Sequence, residues 1–330
     1  MKVVITGATG NVGTALLRRL ADEPDIQAHG ISRRPPAAGP PYQGVDWTPI
    51  DIGQAGAEEP LGVAFENADA VVHLAWLIQP SHDERELYRT NVAGSSRVFS
   101  AAAEAEVPHL VHLSSVGAYS PTRKDHRVDE SWPVRGVSSS FYSRHKAAVE
   151  HMLNQFEARM LISRPRPGLI LQSDAGSEIR DYFLGGLVPK ALFRHRIPIL
   201  PLPRNLVLQF VHANDVADAL VRILRKRPHG PVNLVAEPVV TPGVLADVLG
   251  GRHVPIPAWL LRQVANVSWR LRLQPTPPGW VDLALAAPLL DATRARTELG
   301  WEPAFDALEA LRALVRGIGH GEEVPASPVL

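Results

Sequence analysis

The stretch that decides the fold is Lys2-Val3-Val4-Ile5-Thr6-Gly7-Ala8-Thr9-Gly10-Asn11-Val12-Gly13. Its first half is a short β-rich apolar run, and Val12, Leu16, Leu17 and Leu20 then recur at helical spacing. The segment therefore reads strand, glycine turn, helix. In such a turn the unpaired backbone N–H groups and the positive end of the helix dipole favour an anion. Glycine lets the backbone turn sharply and approach a pyrophosphate with no Cβ in the way. Gly7, Gly10, Asn11, Val12 and Gly13 are thus candidate contacts to a dinucleotide. The spacing is G-x-x-G-x-x-G rather than G-x-G-x-x-G, and glycine turns also arise for packing reasons, so the surrounding pattern has to supply the context.

It does. Segments 26–32, 45–50, 69–75, 109–114 and 160–165 read as further strands, with helical patterns at 85–105 and 140–159. Strands alternating with helices of that length imply βαβ units, right-handed crossovers and a parallel sheet covered on both faces. The expected fold is a doubly wound α/β fold of Rossmann type. The Pro/Gly-rich segment 35–44 is a loop. After residue 165 the texture changes, and Pro198-Ile199-Leu200-Pro201-Leu202-Pro203 cannot be a central strand. Residues 206–211 look like a returning strand and 214–225 a helix with Val216, Leu220 and Leu224 on one face. From about residue 238 the chain is short helices and turns around Trp259, Trp269, Trp280 and Trp301. This predicts a dinucleotide-binding domain over 1–165, to which 206–235 returns, and a smaller substrate-binding region from 166–205 and 236–330.

Composition removes several function classes. Apolar residues at 45% and charged residues at 21% are the balance of a globular enzyme, and 330 residues exceed what one core usually serves. Lys plus Arg equals Asp plus Glu at 34 each, so no overall field recruits nucleic acid or an anionic membrane. A small molecule is the expected partner. The absence of cysteine excludes disulfides, thiolate catalysis and zinc-thiolate sites. No histidine pair has the spacing and carboxylate of a zinc site, so no metal is expected and His73, His112, His145 and His212 read as structural. The first apolar run is too short for a signal-peptide core, and 257–273 carries Arg262, Arg270 and Arg272, which a spanning helix would not tolerate. The expectation is a cytoplasmic protein with no membrane partner.

Two features point to chemistry. Ser32-Arg33-Arg34 ends the second strand, where an acidic side chain would accept from ribose hydroxyls and an arginine would accommodate a 2′-phosphate. Arg33 and Arg34 therefore favour NADP over NAD, the plainer alternative being two solvated arginines. Tyr142 and Lys146 stand four residues apart, on one face of a helix. A phenol ionises near pH 10, and an adjacent cation brings that value toward the range useful for proton transfer. Upstream, Ser114 and Ser115 close the strand 109–114 at the sheet edge where ligands of such folds bind.

With these features stand Asp51-Ile52, Val71-Val72-His73-Leu74-Ala75, Asn91-Val92-Ala93-Gly94, Leu113-Ser114-Ser115-Val116-Gly117-Ala118-Tyr119 and Asp129-Glu130-Ser131. Ser163-Arg164-Pro165, Phe210-Val211-His212-Ala213-Asn214-Asp215-Val216-Ala217 and Leu299-Gly300-Trp301 follow. In this order they resemble the extended short-chain dehydrogenase/reductases, the NAD-dependent epimerase/dehydratase group, over nearly the whole chain. The resemblance implies that Tyr142 is the general acid or base at the substrate oxygen and that Lys146 holds the nicotinamide ribose and tunes the phenol. It makes Ser115 a second hydrogen-bond partner of that oxygen, and leaves Ser114 and Asn91 structural. Tyr142 and Lys146 also count among the cofactor contacts, with Asp51 and Ile52 at the adenine, Leu74 and Ala75 below the cofactor and the backbone of Pro165 at its nicotinamide end. Trp76 is the implied pocket residue, whereas Trp259, Trp269 and Trp280 read either as core or as pocket lining. Arg166 is either near the nicotinamide end or a surface charge. A homodimer through helices 85–105 and 140–159 is implied as well.

Three departures bear on the reaction. Ser115 is followed by Val116 and Gly117, not by the Asp and Glu that drive loss of water in the sugar-nucleotide dehydratases. Leu206-Val207-Leu208-Gln209 lacks the arginine that meets a nucleotide diphosphate in epimerases, with only Arg204 nearby. An NADP preference favours net redox. The expected activity is an NADP(H)-dependent interconversion of a ketone and a secondary alcohol on a modest, partly apolar molecule. The alternative is a nucleotide-sugar 4-epimerase with bound NAD. A non-enzymatic cofactor sensor is a third reading, against which the intact Ser115, Tyr142 and Lys146 argue.

Overall fold

The computed structural model describes residues 1–78, 82–175 and 197–320. The first half runs β1 (Lys2–Thr6), α1 (Asn11–Leu20), β2 (Gln27–Ser32), β3 (Asp46–Pro49), α2 (Glu58–Phe65) and β4 (Ala70–His73). Next come α3 (Glu84–Tyr88), a π-helical turn (Arg89–Gly94), α4 (Ser95–Glu104), β5 (His109–His112), β6 (Arg127–Val128), α5 (Phe141–Leu153) and β7 (Leu161–Pro167). The expected helix over 85–105 is thus present but opened by a π turn at Asn91, a distortion that recurs at functional sites.

The remainder comprises β8 (Leu169–Leu171), β9 (Ile199–Leu202), β10 (Phe210–His212), α6 (Ala213–Lys226), β11 (Gly230–Leu234), α7 (Pro242–Val248), β12 (Arg252–Pro255), α8 (Ala258–Arg270), α9 (Gly279–Ala286), β13 (Leu289–Leu290), α10 (Thr293–Leu299) and α11 (Ala307–His320). Among the described residues the central sheet has seven strands in the order β11-β7-β5-β4-β1-β2-β3. All its pairings are parallel. This is the doubly wound Rossmann architecture, with the reversal of strand order beside β1.

The core explains the pattern. Val3, Val4 and Ile5 are completely buried, as a parallel strand covered on both faces requires. One face packs on α1 and α6 and the other on α2, α4 and α5. Residues 198–203 do stay out of the central sheet; β9 within them pairs instead with β12. The strand expected at 206–211 is shorter and displaced: β10 pairs with β8 in a separate two-stranded sheet, and the strand that extends the central sheet is β11. Trp301 is fully buried and its indole Nε1 donates to the Asp215 carbonyl at 2.9 Å. The Asp215 carboxylate accepts from the N–H groups of Ala304 (2.8 Å) and Phe305 (3.2 Å), so the segments 210–217 and 299–305 are one structural joint. Trp259 is not core: it is 65% exposed on α8. No described helix is long and apolar enough to cross a membrane.

Candidate active site

The carboxyl ends of β1, β2, β4 and β5 open onto a cleft of about 1610 Å³. Single-ligand pockets typically enclose about 300–1,000 Å³, so the cleft has room for a dinucleotide and a second molecule together.

At its base lies the glycine turn. Gly7 has φ +73°, and a Cβ there would sit 2.6 Å from the Ala75 backbone nitrogen. A Cβ at Gly13 would lie 2.3 Å from the Gly7 carbonyl oxygen, so this glycine is what seats the first turn of α1 against the loop. No side chain caps α1 at Gly10. The Asn11 Oδ1 is buried without a hydrogen-bond partner, a polar atom in the cradle left for a ligand. Bare helix N–H groups and the absent Cβ atoms suit the phosphates of a dinucleotide, and the Asn11 oxygen, an acceptor, suits a hydroxyl or N–H donor of the same ligand. Gly10, Asn11, Val12, Asp51, Ile52, Leu74 and Ala75 all line the same cleft. Asp51 accepts the Gly53 N–H at 2.9 Å, which fixes the turn after β3. Arg33 and Arg34 are exposed at the cleft and, among the described residues, form no ion pair.

The loop after β4 forms one wall. Its shape is held by Asn91 in the π turn, which accepts the Leu77 N–H at 2.7 Å and donates to the Leu77 carbonyl at 2.9 Å. Below it, the buried His73 bridges Thr6 (2.6 Å) and Ser95 (2.9 Å), and burial first and Lys146 second push its pKa down to about 3. It is a neutral structural group.

On the facing side, Ser140 caps α5, so Tyr142 and Lys146 fall on one face of its first two turns. The Ser115 Oγ accepts the Gly117 N–H at 3.0 Å and lines the cleft together with the Tyr142 phenol. Burial pushes that phenol up to about 12, partly offset by Ser115. The Tyr142 ring packs directly on Gly117, where a Cβ would come within 2.8 Å of its Cε1. Gly117 therefore makes room for the phenol rather than leaving an empty position. Lys146 donates to the Leu113 carbonyl at 2.9 Å and its Nζ lies 3.5 Å above the Trp76 ring. Trp76 and Trp280 flank the phenol, with ring centroids 6.1 and 4.9 Å away. Trp280, which the sequence left between core and pocket, thus lines the cleft beside Tyr142.

Burial pushes the Lys146 ammonium down to about 7 from 10.5, against the pull of Glu150. Between those values the unfolded chain holds a proton that the folded chain releases, so this group's contribution to stability increases with pH across the window. Lys146→Met, which removes the titration, is expected to be more stable than the wild type near pH 7, with the gap narrowing as pH approaches 10.5. Chemical denaturation of both proteins across that range measures it; a gap that stays constant contradicts the buried amine.

Glu150, one further turn along α5 and 2% exposed, is a residue that sequence reasoning missed. It takes Arg166 in a bidentate pair, Nε and Nη2 each at 2.7 Å, and accepts from the Ser114 Oγ at 2.5 Å. Arg166 is therefore no surface charge: it is 3% exposed and stacks 4.5 Å from the Tyr119 ring centroid. The signal was present as Tyr142-x-x-x-Lys146-x-x-x-Glu150, three polar groups on one helical face. Pro165 lies buried in β7, where its carbonyl accepts the Ser114 N–H at 2.9 Å; the cleft is met two residues later, at Pro167.

Residues 3–235 match the NAD dependent epimerase/dehydratase family. An uncharacterized protein of Mycobacterium tuberculosis is 28% identical over 335 residues, covering 99% of this chain and 32% of its own, so the chain spans about a third of that relative's length. The dTDP-6-deoxy-L-talose 4-dehydrogenase (NAD(P)(+)) of Kitasatospora kifunensis is 27% identical over 329 residues, 95% of this chain and 94% of that one. A UDP-glucose 4-epimerase of Thermotoga maritima, solved with UDP-glucose, shares the fold with a TM-score of 0.75 at 17% identity, over 98% of this chain and all of that one. With the doubly wound sheet, the glycine cradle and the Ser, Tyr and Lys side chains on one cleft, these matches establish that the chain belongs to the NAD dependent epimerase/dehydratase family.

Proposed function

We propose that the protein is an NADP(H)-dependent oxidoreductase that interconverts a ketone and a secondary alcohol. The observation that carries this reading is the phenol of Tyr142, which lines the same cleft as Ser115 and the glycine cradle. When bound, the nicotinamide supplies the hydride. The chain's own part is the proton. A phenol held near 12 is protonated at neutral pH and can donate to a carbonyl oxygen as that oxygen gains charge. Ser115 offers a second hydrogen bond to the same oxygen, the arrangement that stabilises an oxyanion. Lys146 can turn from the Leu113 carbonyl and the Trp76 face toward a ribose hydroxyl, bringing its ammonium near the phenol. Gly7, Gly10, Asn11, Val12 and Gly13 would hold the pyrophosphate, Asp51 and Ile52 the adenine end, and Leu74 and Ala75 the floor.

The choice of NADP rests on Arg33 and Arg34, exposed at the cleft and, among the described residues, engaged with no carboxylate. Hydrogen bonds to a charged group contribute about 1.5–3 kcal/mol each, roughly ten- to a hundredfold in affinity. Arg33→Ala/Arg34→Ala is expected to weaken NADPH by at least tenfold while NADH binding changes little, as read by fluorescence titration of both cofactors. Tighter binding of NADH than NADPH to the wild type contradicts the arginine role. We further propose a homodimer through α4 and α5; light scattering at the mass of a monomer would oppose it. The proposed reaction is tested by offering carbonyl compounds with NADPH and following its oxidation. Retention of NAD through purification together with interconversion of UDP-sugars would instead identify an epimerase.

A further inference from the structure

The cleft does not end at Tyr142. Beyond β8 it continues as an arm walled by Leu200 on β9, Leu206 and Leu208 before β10, Leu245 on α7, and Leu314 and Ile318 on α11. These come from four separate parts of the chain, so the apolar character is not the accident of one strand. Among the described residues that line this arm, the one charged side chain is Lys124. Its Nζ is already engaged by the Val207 carbonyl at 2.8 Å, and burial lowers its pKa to about 8. A nucleotide diphosphate in this arm would lose water around its charges and find, among the described residues, one committed amine in return. Hydrocarbon loses nothing on entering and leaves water at the leucine walls.

We infer that the substrate carries its carbonyl or carbinol group at one end of an extended hydrocarbon tail, and that this tail lies along the arm between β9, α7 and α11. This rests on the reading of Tyr142 as the group at the reacting oxygen. Nothing in the tail reacts; the arm binds, and it positions the carbonyl beside Tyr142 and Ser115 by anchoring the far end.

The test uses the full chain with NADPH and a homologous series of methyl ketones from butanone to dodecanone, each below its aggregation concentration. Burying a methylene is worth about a fourfold gain when complete, so kcat/KM is expected to increase about two- to fourfold per added carbon over several carbons. Leu206→Gln and Leu245→Gln, both at partly exposed positions, are expected to flatten that slope. Turnover that is level or falls with chain length overturns the tail while leaving the ketone reading in place. Where no ketone is turned over, calorimetric binding of the matching secondary alcohols to the NADP-loaded protein decides. Affinity climbing with chain length supports the arm and removes the proposed reaction, whereas length-independent binding overturns the arm too. Binding of UDP-glucose more tightly than dodecanone also overturns it.

Discussion

Replacing Tyr142 with Phe is expected to lower kcat for ketone reduction by about 10²- to 10⁴-fold, the range that a positioned general acid contributes, with NADPH affinity retained. The reason is local. The phenol lines the cleft with Ser115, and in the proposed reaction its oxygen gives the proton that a developing alkoxide needs. The ring itself, packed on Gly117 and flanked by Trp76 and Trp280, has the same shape in phenylalanine, so the pocket keeps its form. The glycine cradle follows β1, with β4 between it and β5, and its backbone contacts do not involve the phenol oxygen. Single-turnover kinetics and a separate cofactor titration distinguish loss of chemistry from loss of binding. Survival of turnover within a few fold would mean that another group supplies the proton.

The second large effect concerns folding. Glu150→Leu removes the anion that two short hydrogen bonds join to Arg166, leaving a guanidinium 3% exposed without its carboxylate. Breaking a buried pair from one side costs about 3–5 kcal/mol, because the remaining charge stays desolvated. Urea denaturation of Glu150→Leu is expected to show a loss of that size, and Glu150→Leu/Arg166→Met is expected to recover most of it. A single-variant loss below about 1 kcal/mol would mean that water or Tyr119 takes over the pairing. The pair matters to the site because Glu150 also holds Ser114, the neighbour of Ser115, and stands one helical turn below Lys146. It fixes the strand end and the helix to each other, the two elements from which Ser115, Tyr142 and Lys146 line one cleft.

Much of the fold was legible because parallel strands buried on both faces are written as plain apolar runs. The segments 2–6 and 70–73 need no long-range information to be read, whereas β2 is mixed in composition and buries only its last three residues. What failed depended on pairing partners. Residues 206–211 look like a returning strand, yet β10 is short and pairs with β8, where the Leu169 N–H donates to the Gln209 carbonyl and Gly168 packs against it. The helix over 85–105 was legible but its π turn was not, since the distortion follows from Asn91 reaching across to Leu77, a contact between separate segments. The same limit hid Arg166. Beside Pro165 and Pro167 it looks like a loop charge, and only the fold brings Glu150 to it. Trp280 was ambiguous for an equivalent reason, as α9 returns to the cleft from far along the chain.

The most direct measurement of the central claim follows the hydride itself. NADPH carrying deuterium at the transferring position is incubated with the protein and a turned-over ketone, and product and cofactor are analysed by mass spectrometry. The account requires deuterium on the carbinol carbon of the product, formed in step with NADP and lost when Tyr142 is replaced by Phe. Deuterium that remains with the cofactor while the substrate changes only its configuration would contradict it.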